Sequence, residues 1–489
     1  MFSYRRLKGI RLISVIFVVL VGLLGLSVPG ETRQLLIRNA ALIVTMDPEM
    51  GEGPLGVIED GDVLVDEDTI SAIGKNLTGH HGRVLDVKGK IVLPGLVDVH
   101  NHLWQSLIRG CGTDKDVIGW LDACVFPVYD IGVSEEEAYA GVRLSTLDII
   151  STGVTTVVDW SHAFSPEFVR GNIQALSDSG LRFGFAYYGS KDDDVIEDIR
   201  RVKEELIDPN PRAIFQVASH PSMDEPFLDN LIAMSGLARE LGVKLHVHLL
   251  ENVKQRADEP IKALKQADAL GPNLVCAHAV HLTDEEIAIL AENDVRVAHN
   301  PLSNMRLASG IMRLSELHAE GLKVGLGLDG GCNDTSDMFN SMRVSVGLQR
   351  ATSLRAQVFP SVVDVLRMAT TGAAELLDMS DQIGSLTPGK KADLIILDPG
   401  GVNFAPRFDW ISQLVFNGQP TNVEWVFVDG RQLKARGRFV GIRPDVVVQA
   451  AQTAADRIRE ALADACACSS SARPETLEDS DMVGLFTED

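Results

Sequence analysis

Eight apolar runs of strand character recur from about residue 92 to residue 377: "IVLPGLVDVH", "GVTTVVDW", "LRFGFAYY", "AIFQVASH", "VKLHVHLLE", "NLVCAHAVH", "VRVAHNPLSN" and "LKVGLGLDGG". Helical text alternates with them. Ser134 with Glu137, and Thr283 with Glu286, have capping-box spacing ahead of amphipathic stretches, which marks helix starts between the strands. Eight strand-then-helix units imply an α/β chain built on a (β/α)8 TIM-type barrel. A doubly wound open sheet is the other α/β solution, but no glycine-rich phosphate loop follows the first strand.

The flanks read differently. Short strands such as "LLIRNAALIVT", "DVLVDEDTISAIG" and "VLDVKGKIVL" precede the barrel, and "KKADLIILD" and "NVEWVFVDGRQL" follow it. They predict a small β-sandwich domain assembled from both chain ends. The expected order is a leader over 1–30, half of the β domain over 31–93, the barrel over 94–380, and the second β half over 381–445. A helix and a disordered acidic tail fill 446–489.

A strand alternates faces, so His100 and His102 in "DVHNH" share one face while Asn101 takes the other. In (β/α)8 barrels the chemistry sits at the C-terminal strand ends. Of the twelve histidines in the chain, nine fall at or just after one: His100, His102, His162, His220, His246, His248, His278, His281 and His299. Asp329 ends the eighth run. Three imidazoles and a carboxylate suit Zn2+ or Fe2+ with one position left for water, and a bound cation can bring that water's pKa from about 15.7 to roughly 7. Asp329 could coordinate the ion and accept the water's proton. Glu251, three residues past His248, lies where the strand leaves the barrel and could donate a proton to a substrate heteroatom. His246 shares a face with His248, and the latter, nearer the mouth, has the reach toward substrate. His278 is closer than His281 to its strand's end.

Six stretches together, "LPGLVDVHNHLWQSLIRG", "HVHLLEN", "VCAHAVHLTDEE", "VAHNPLSNMRLASG", "GLGLDGGCNDTSDMFNSMR" and "GSLTPGKKADLIILD", resemble the amidohydrolase superfamily. Within it they are most similar to the branch of cytosine, guanine-type and adenosyl-nucleoside deaminases and triazine hydrolases. The resemblance implies one divalent metal ion, Zn2+ before Fe2+, held by His100, His102, His248 and Asp329. Glu251 and His278 then complete the catalytic set with Asp329. Binuclear relatives carry a modified lysine at the end of the fourth strand, where this chain has Ser219 and His220, which favours a single metal.

The implied reaction is hydrolytic deamination of an aminated heterocycle, with water on the metal attacking the amino-bearing ring carbon and ammonia leaving. The same site could instead act on chloride, an alkylamine or a cyclic amide, and a catalytically silent barrel with a binding role is the reading outside enzymology. Gln105 resembles an amide that relatives place beside the substrate ring, and His220 a substrate-contacting histidine. Trp104 and Arg109 read as structural. Relatives acting on adenosyl nucleosides carry a glutamate for the ribose hydroxyls where "GWLDACVFPVYD" offers Val128 and Tyr129, a departure that favours a free purine-like or pyrimidine-like base, a pterin or a triazine.

A formal net charge of -23 repels phosphate backbones and argues against nucleic-acid partners. A small-molecule heterocycle fits better, and the resemblance makes a homo-oligomer the expected state. The stretch "MFSYRRLKGIRLISVIFVVLVGLLGLSVPGETR" has the order of a secretory signal, with Arg5, Arg6, Lys8 and Arg11 ahead of an apolar run. The expectation is export, or membrane attachment through an uncleaved N-terminal anchor. Cys111, Cys124, Cys276 and Cys332 read as buried free thiols, whereas Cys466 and Cys468, in the Ser-rich tail, could pair in an oxidising compartment.

Overall fold

The computed structural model describes residues 34–331 and 335–471, with side chains as far as residue 464. The leader, Cys332, Cys466 and Cys468 therefore lie outside the described residues or side chains, and no described helix is long and apolar enough to cross a membrane.

The barrel strands are β1 (Leu96–His102), β2 (Val154–Ser161), β3 (Arg182–Tyr188), β4 (Ala213–Ser219), β5 (Lys244–Leu249), β6 (Leu274–His278), β7 (Arg296–His299) and β8 (Lys323–Leu326). All neighbours pair in parallel, in chain order, with helices such as Glu135–Ser151, Pro166–Ser179 and Phe227–Leu241 between them. Both expected capping boxes are present, Ser134 with Glu137 and Thr283 with Glu286. The eighth run changes partner part-way along. Its first half pairs with β7, and two residues later Asp329–Gly330 pairs with β1, so the sheet closes on itself. At the switch, Gly327 N–H donates to the His299 carbonyl at 2.9 Å and Leu328 N–H to the Asp98 carboxylate at 3.0 Å. A side chain at Gly327 would bring its Cβ to 2.1 Å from Asn300 Oδ1 and 3.0 Å from the His100 carbonyl, so any other residue would have to displace Asn300.

The accessory domain is a single sheet whose strands come from both chain ends, with Ile91–Pro94 pairing antiparallel with Leu394–Leu397. Alternation divides its faces. Ile43, Val92, Leu394, Ile396, Trp425 and Phe427 form the domain's own core, while Leu42, Val44, Leu93, Ile395, Leu397 and Val426 belong to the cluster shared with the barrel. Across that junction the buried Arg182 guanidinium at the start of β3 bonds both oxygens of Asp393, at 2.9 and 3.3 Å, and also contacts Asp429. The C-terminal helix Pro444–Ser471 lies against Glu135–Ser151, where Arg457 pairs with Glu137 and donates to the Gly132 carbonyl at 3.0 Å.

A buried charge pair costs most when one partner is removed, because the other stays desolvated and unpaired. We expect Arg182→Met to lower unfolding free energy by about 3–5 kcal/mol, read as a lower denaturant midpoint, with metal content unchanged in the folded fraction.

Candidate metal centre and active site

β1 carries His100 and His102 inward, and β5 carries His246 and His248. Three turns at strand ends then depart from β geometry. Leu250 (φ 46°), His278 (φ 72°) and Asp329 (φ 62°) occupy the left-handed region that non-glycine residues rarely adopt. Such strain concentrates at functional sites, and here it swings Glu251, His278 and Asp329 over the barrel mouth.

One ligand atom each from His100, His248, His278 and Asp329 lie within 4.8 Å of one another. His102 stands against that group, its Nε2 3.1 Å from His248 Nε2 and 3.3 Å from Asp329 Oδ1. On the far side, Glu251 Oε2 lies 3.6 Å from His278 Nε2, and Ser309 donates to Glu251 Oε1 at 3.1 Å. The structure thus brings together His100, His102, His248, Glu251, His278 and Asp329. It leaves His281 outside, with its Nε2 on the Ser309 carbonyl at 2.7 Å.

Hydrogen bonds decide where the imidazole protons are. His102 Nδ1 lies 2.7 Å from the Trp160 carbonyl and His278 Nδ1 lies 2.8 Å from Asn304 Oδ1. Both partners only accept, so these rings carry their protons on Nδ1 and turn bare Nε2 atoms toward the cluster. A longer chain does the same for His100. Gln216 Oε1 accepts from His246 Nδ1 at 2.9 Å, which leaves His246 Nε2 to accept from His100 Nδ1 at 3.1 Å. The Nε2 atoms of His100 and His278 are buried and make no hydrogen bond among the described residues. Buried lone pairs converging on one point are costly unless a cation sits between them, and this donor set fits a divalent ion.

Electrostatics separates the two carboxylates. Burial pushes Glu251 above the usual carboxylate range, against the opposing pull of His278. Burial acts on Asp329 too, but the imidazoles of His100, His278 and His102 outweigh it and hold its carboxyl well below that range. Burial, the largest cause in each case, pulls His100, His102, His246 and His248 below the usual histidine range. Near the barrel seam, burial lifts Asp98 to about 7 although Asn101 donates to it at 2.7 Å.

The cluster floors a cavity of about 320 Å3 whose upper wall is Val117, Trp120, Leu121, Phe126, Phe227 and Leu307. Gln105 and His220 both line it, Gln105 fully buried and His220 partly exposed with Nε2 3.8 Å from Asp258 Oδ2. Arg109 is structural, donating to the Gly331 carbonyl at 2.8 Å and to Asp148 at 2.6 Å. His162 also lines the cavity, a position that the sequence marked only as a histidine following β2. Cys111 and Cys124 are not free thiols as expected: they form a disulfide with their Cα atoms 6.0 Å apart. The apolar residues around them read as burial, but the chain folds back between them and brings the two sulfurs together. Among the described residues, Cys276 is the buried free thiol.

The amidohydrolase family model matches residues 91–433, which includes every residue of this centre. The chain belongs to the amidohydrolase family. Among curated relatives, a 5'-deoxyadenosine deaminase of Methanosarcina acetivorans is 30% identical over 441 residues, covering 87% of this chain and 98% of the relative. A 5-methylthioadenosine/S-adenosylhomocysteine deaminase of Syntrophobacter fumaroxidans is 31% identical over 440 residues, with 86% and 97% covered. In structure, this amidohydrolase is similar to a zinc-bound adenosine deaminase from Xanthomonas campestris, with TM-score 0.80, 26% identity and coverage of 87% and 98%. A triazine hydrolase from Arthrobacter aurescens is similar at TM-score 0.76 and 25% identity, covering 86% and 99%. It is therefore a hydrolase of carbon–nitrogen bonds with a divalent-metal site.

Groups that orient a ligand histidine typically govern metal affinity by about 10–100-fold. We expect His246→Leu to weaken zinc binding by that factor in competition with a chromogenic chelator, while circular dichroism shows an intact fold.

Proposed function

We infer that the protein removes the amino group of an aminated aromatic heterocycle by hydrolysis, with one zinc ion held by His100, His102, His248 and Asp329. The observation that carries this reading is the pairing, at one cavity floor, of two carboxyls that their surroundings drive apart: Asp329, held well below the usual carboxylate range, and Glu251, pushed above it by burial. A divalent ion in this site supplies Lewis acidity and makes water acidic enough to react at neutral pH.

The residues divide the proton traffic. Asp329 takes one proton from the attacking water, whose oxygen bonds to the amino-bearing ring carbon. Glu251 gives its proton to the adjacent ring nitrogen, which draws electrons from that carbon. His278, fixed by Asn304, presents its bare Nε2 3.6 Å from Glu251 and 3.9 Å from Asp329, where it can accept a hydrogen bond from the water or the new hydroxyl. Asp329 then passes its proton to the amino group, so that ammonia rather than amide ion leaves. Glu251 recovers the hydroxyl proton as the carbonyl forms.

The related nucleoside deaminases support an aminopurine-like ring. Glu251 and Asp329 are the two carboxylates lining the cavity, and neither is free for ribose hydroxyls. The apolar upper wall supports a free base or a ring with a hydroxyl-poor substituent. We also propose an oxidising compartment as the site of action, supported by the Cys111–Cys124 disulfide.

The test is ammonia release by zinc-loaded protein from aminopurines, 5'-deoxyadenosine, aminopyrimidines, pterins and aminotriazines. Glu251→Gln should keep its zinc and lose about 10²–10⁴-fold in kcat, the usual worth of a general acid. Retained turnover would reject the assignment. Dialysis against a chelator should abolish ammonia release, and stoichiometric zinc should restore it.

A further inference from the structure

A second cavity of about 610 Å3 adjoins the catalytic one, and four residues line both: Leu121, Phe126, His162 and Tyr188. Of these, His162 is the one with a ring nitrogen to offer. Its Nδ1 lies 3.0 Å from the indole Nε1 of Trp104, a side chain with no solvent exposure. An indole N–H only donates, so His162 Nδ1 must be bare and the ring proton must sit on Nε2. Trp104 thereby turns His162 into a fixed hydrogen-bond donor. This is the reverse of His100, His102 and His278, whose Nδ1 protons leave Nε2 bare for a cation. The His162 ring also packs 4.9 Å from that of His102 and 5.4 Å from that of Trp160, which hold its plane.

We propose that His162 is a substrate-positioning and specificity-determining residue, donating from Nε2 at the junction of the two cavities to an acceptor atom of the heterocycle, with Trp104 as the residue that fixes its tautomer. This rests on the deaminase reading and deepens it. Glu251 engages the ring nitrogen beside the reacting carbon from the β5 side, and His162 meets an acceptor from the β2 side. The substrate class is thus an aminated heterocycle with a second acceptor, a ring nitrogen or an oxo or ether oxygen, whose substituent continues into the outer cavity between Phe126 and Tyr188. Rings without that second acceptor would leave a buried N–H unpaired and be rejected.

Two measurements test it. Long-range 1H–15N correlation spectra of the zinc-loaded protein without substrate should show His162 with a bare Nδ1 and a protonated Nε2, and Trp104→Phe should abolish that preference. For turnover, adenine and 5'-deoxyadenosine are compared with their 3-deaza and 7-deaza analogues, each lacking one ring acceptor. His162→Phe should raise KM about tenfold or more with kcat nearly unchanged, His162→Gln should restore most of the loss by supplying an N–H, and one deaza analogue should be insensitive to His162→Phe. A protonated Nδ1, zinc on Nε2, or equal KM values in all three proteins would overturn the donor assignment while leaving deamination intact. Absence of ammonia from every substrate, with the tautomer as stated, would instead overturn the deaminase reading and with it the substrate role of His162.

Discussion

The centre depends on the way the eighth strand changes partner. Lys323–Leu326 pairs with β7 and Asp329–Gly330 pairs with β1, and the two residues between them carry the barrel's seam. Gly327 N–H makes the last ladder bond to the β7 carbonyl of His299, and Leu328 N–H, past that ladder, goes to the Asp98 side chain. A buried carboxylate thus does the work of a missing backbone acceptor. The same Asp98 also takes the Asn101 amide and the His100 N–H, so the seam and the first pair of histidines are set by one group. Asp329, placed by this closure, then meets imidazoles that arrive from β1, β5 and β6.

The rest of the site follows from satisfying buried polar atoms. Each inward imidazole needs a partner for one nitrogen, and the partner's chemistry settles what the other nitrogen can do. Carbonyl oxygens of Trp160 and Asn304, and the Gln216–His246 chain, leave three bare nitrogens facing one point. The indole of Trp104 does the opposite to His162. One neighbourhood therefore contains both a cation site and a neutral donor for substrate, and the difference lies in the groups behind the rings.

Much of this was legible in the chain. The eight alternating runs announce the barrel because a helix must cover each parallel strand, and the strand-end histidines announce metal chemistry because a period of two places His100 beside His102 and His246 beside His248. Glu251 was legible from its distance past His248. Other features were not. Trp104 read as packing, because a buried tryptophan is usually that, and its indole donor matters only once β2 lies beside it. Cys111 and Cys124 read as free thiols because their neighbours are apolar, yet the intervening turn closes them into a bridge. His246 read only as the histidine farther from the mouth, and its orienting role needs Gln216 from the neighbouring β4.

By itself the sequence determined the repeat, the side-chain types at the strand ends and the faces that they share, since these follow from local periodicity. Tertiary structure decided the partner of the eighth strand, the positive-φ turns that aim Glu251, His278 and Asp329, and the tautomers of His100, His102, His162 and His278. The physical reason is the same in each case. A hydrogen bond or a charge interaction between groups tens to hundreds of residues apart exists only after the sheet has closed, and such interactions are what turn a set of histidines into a site.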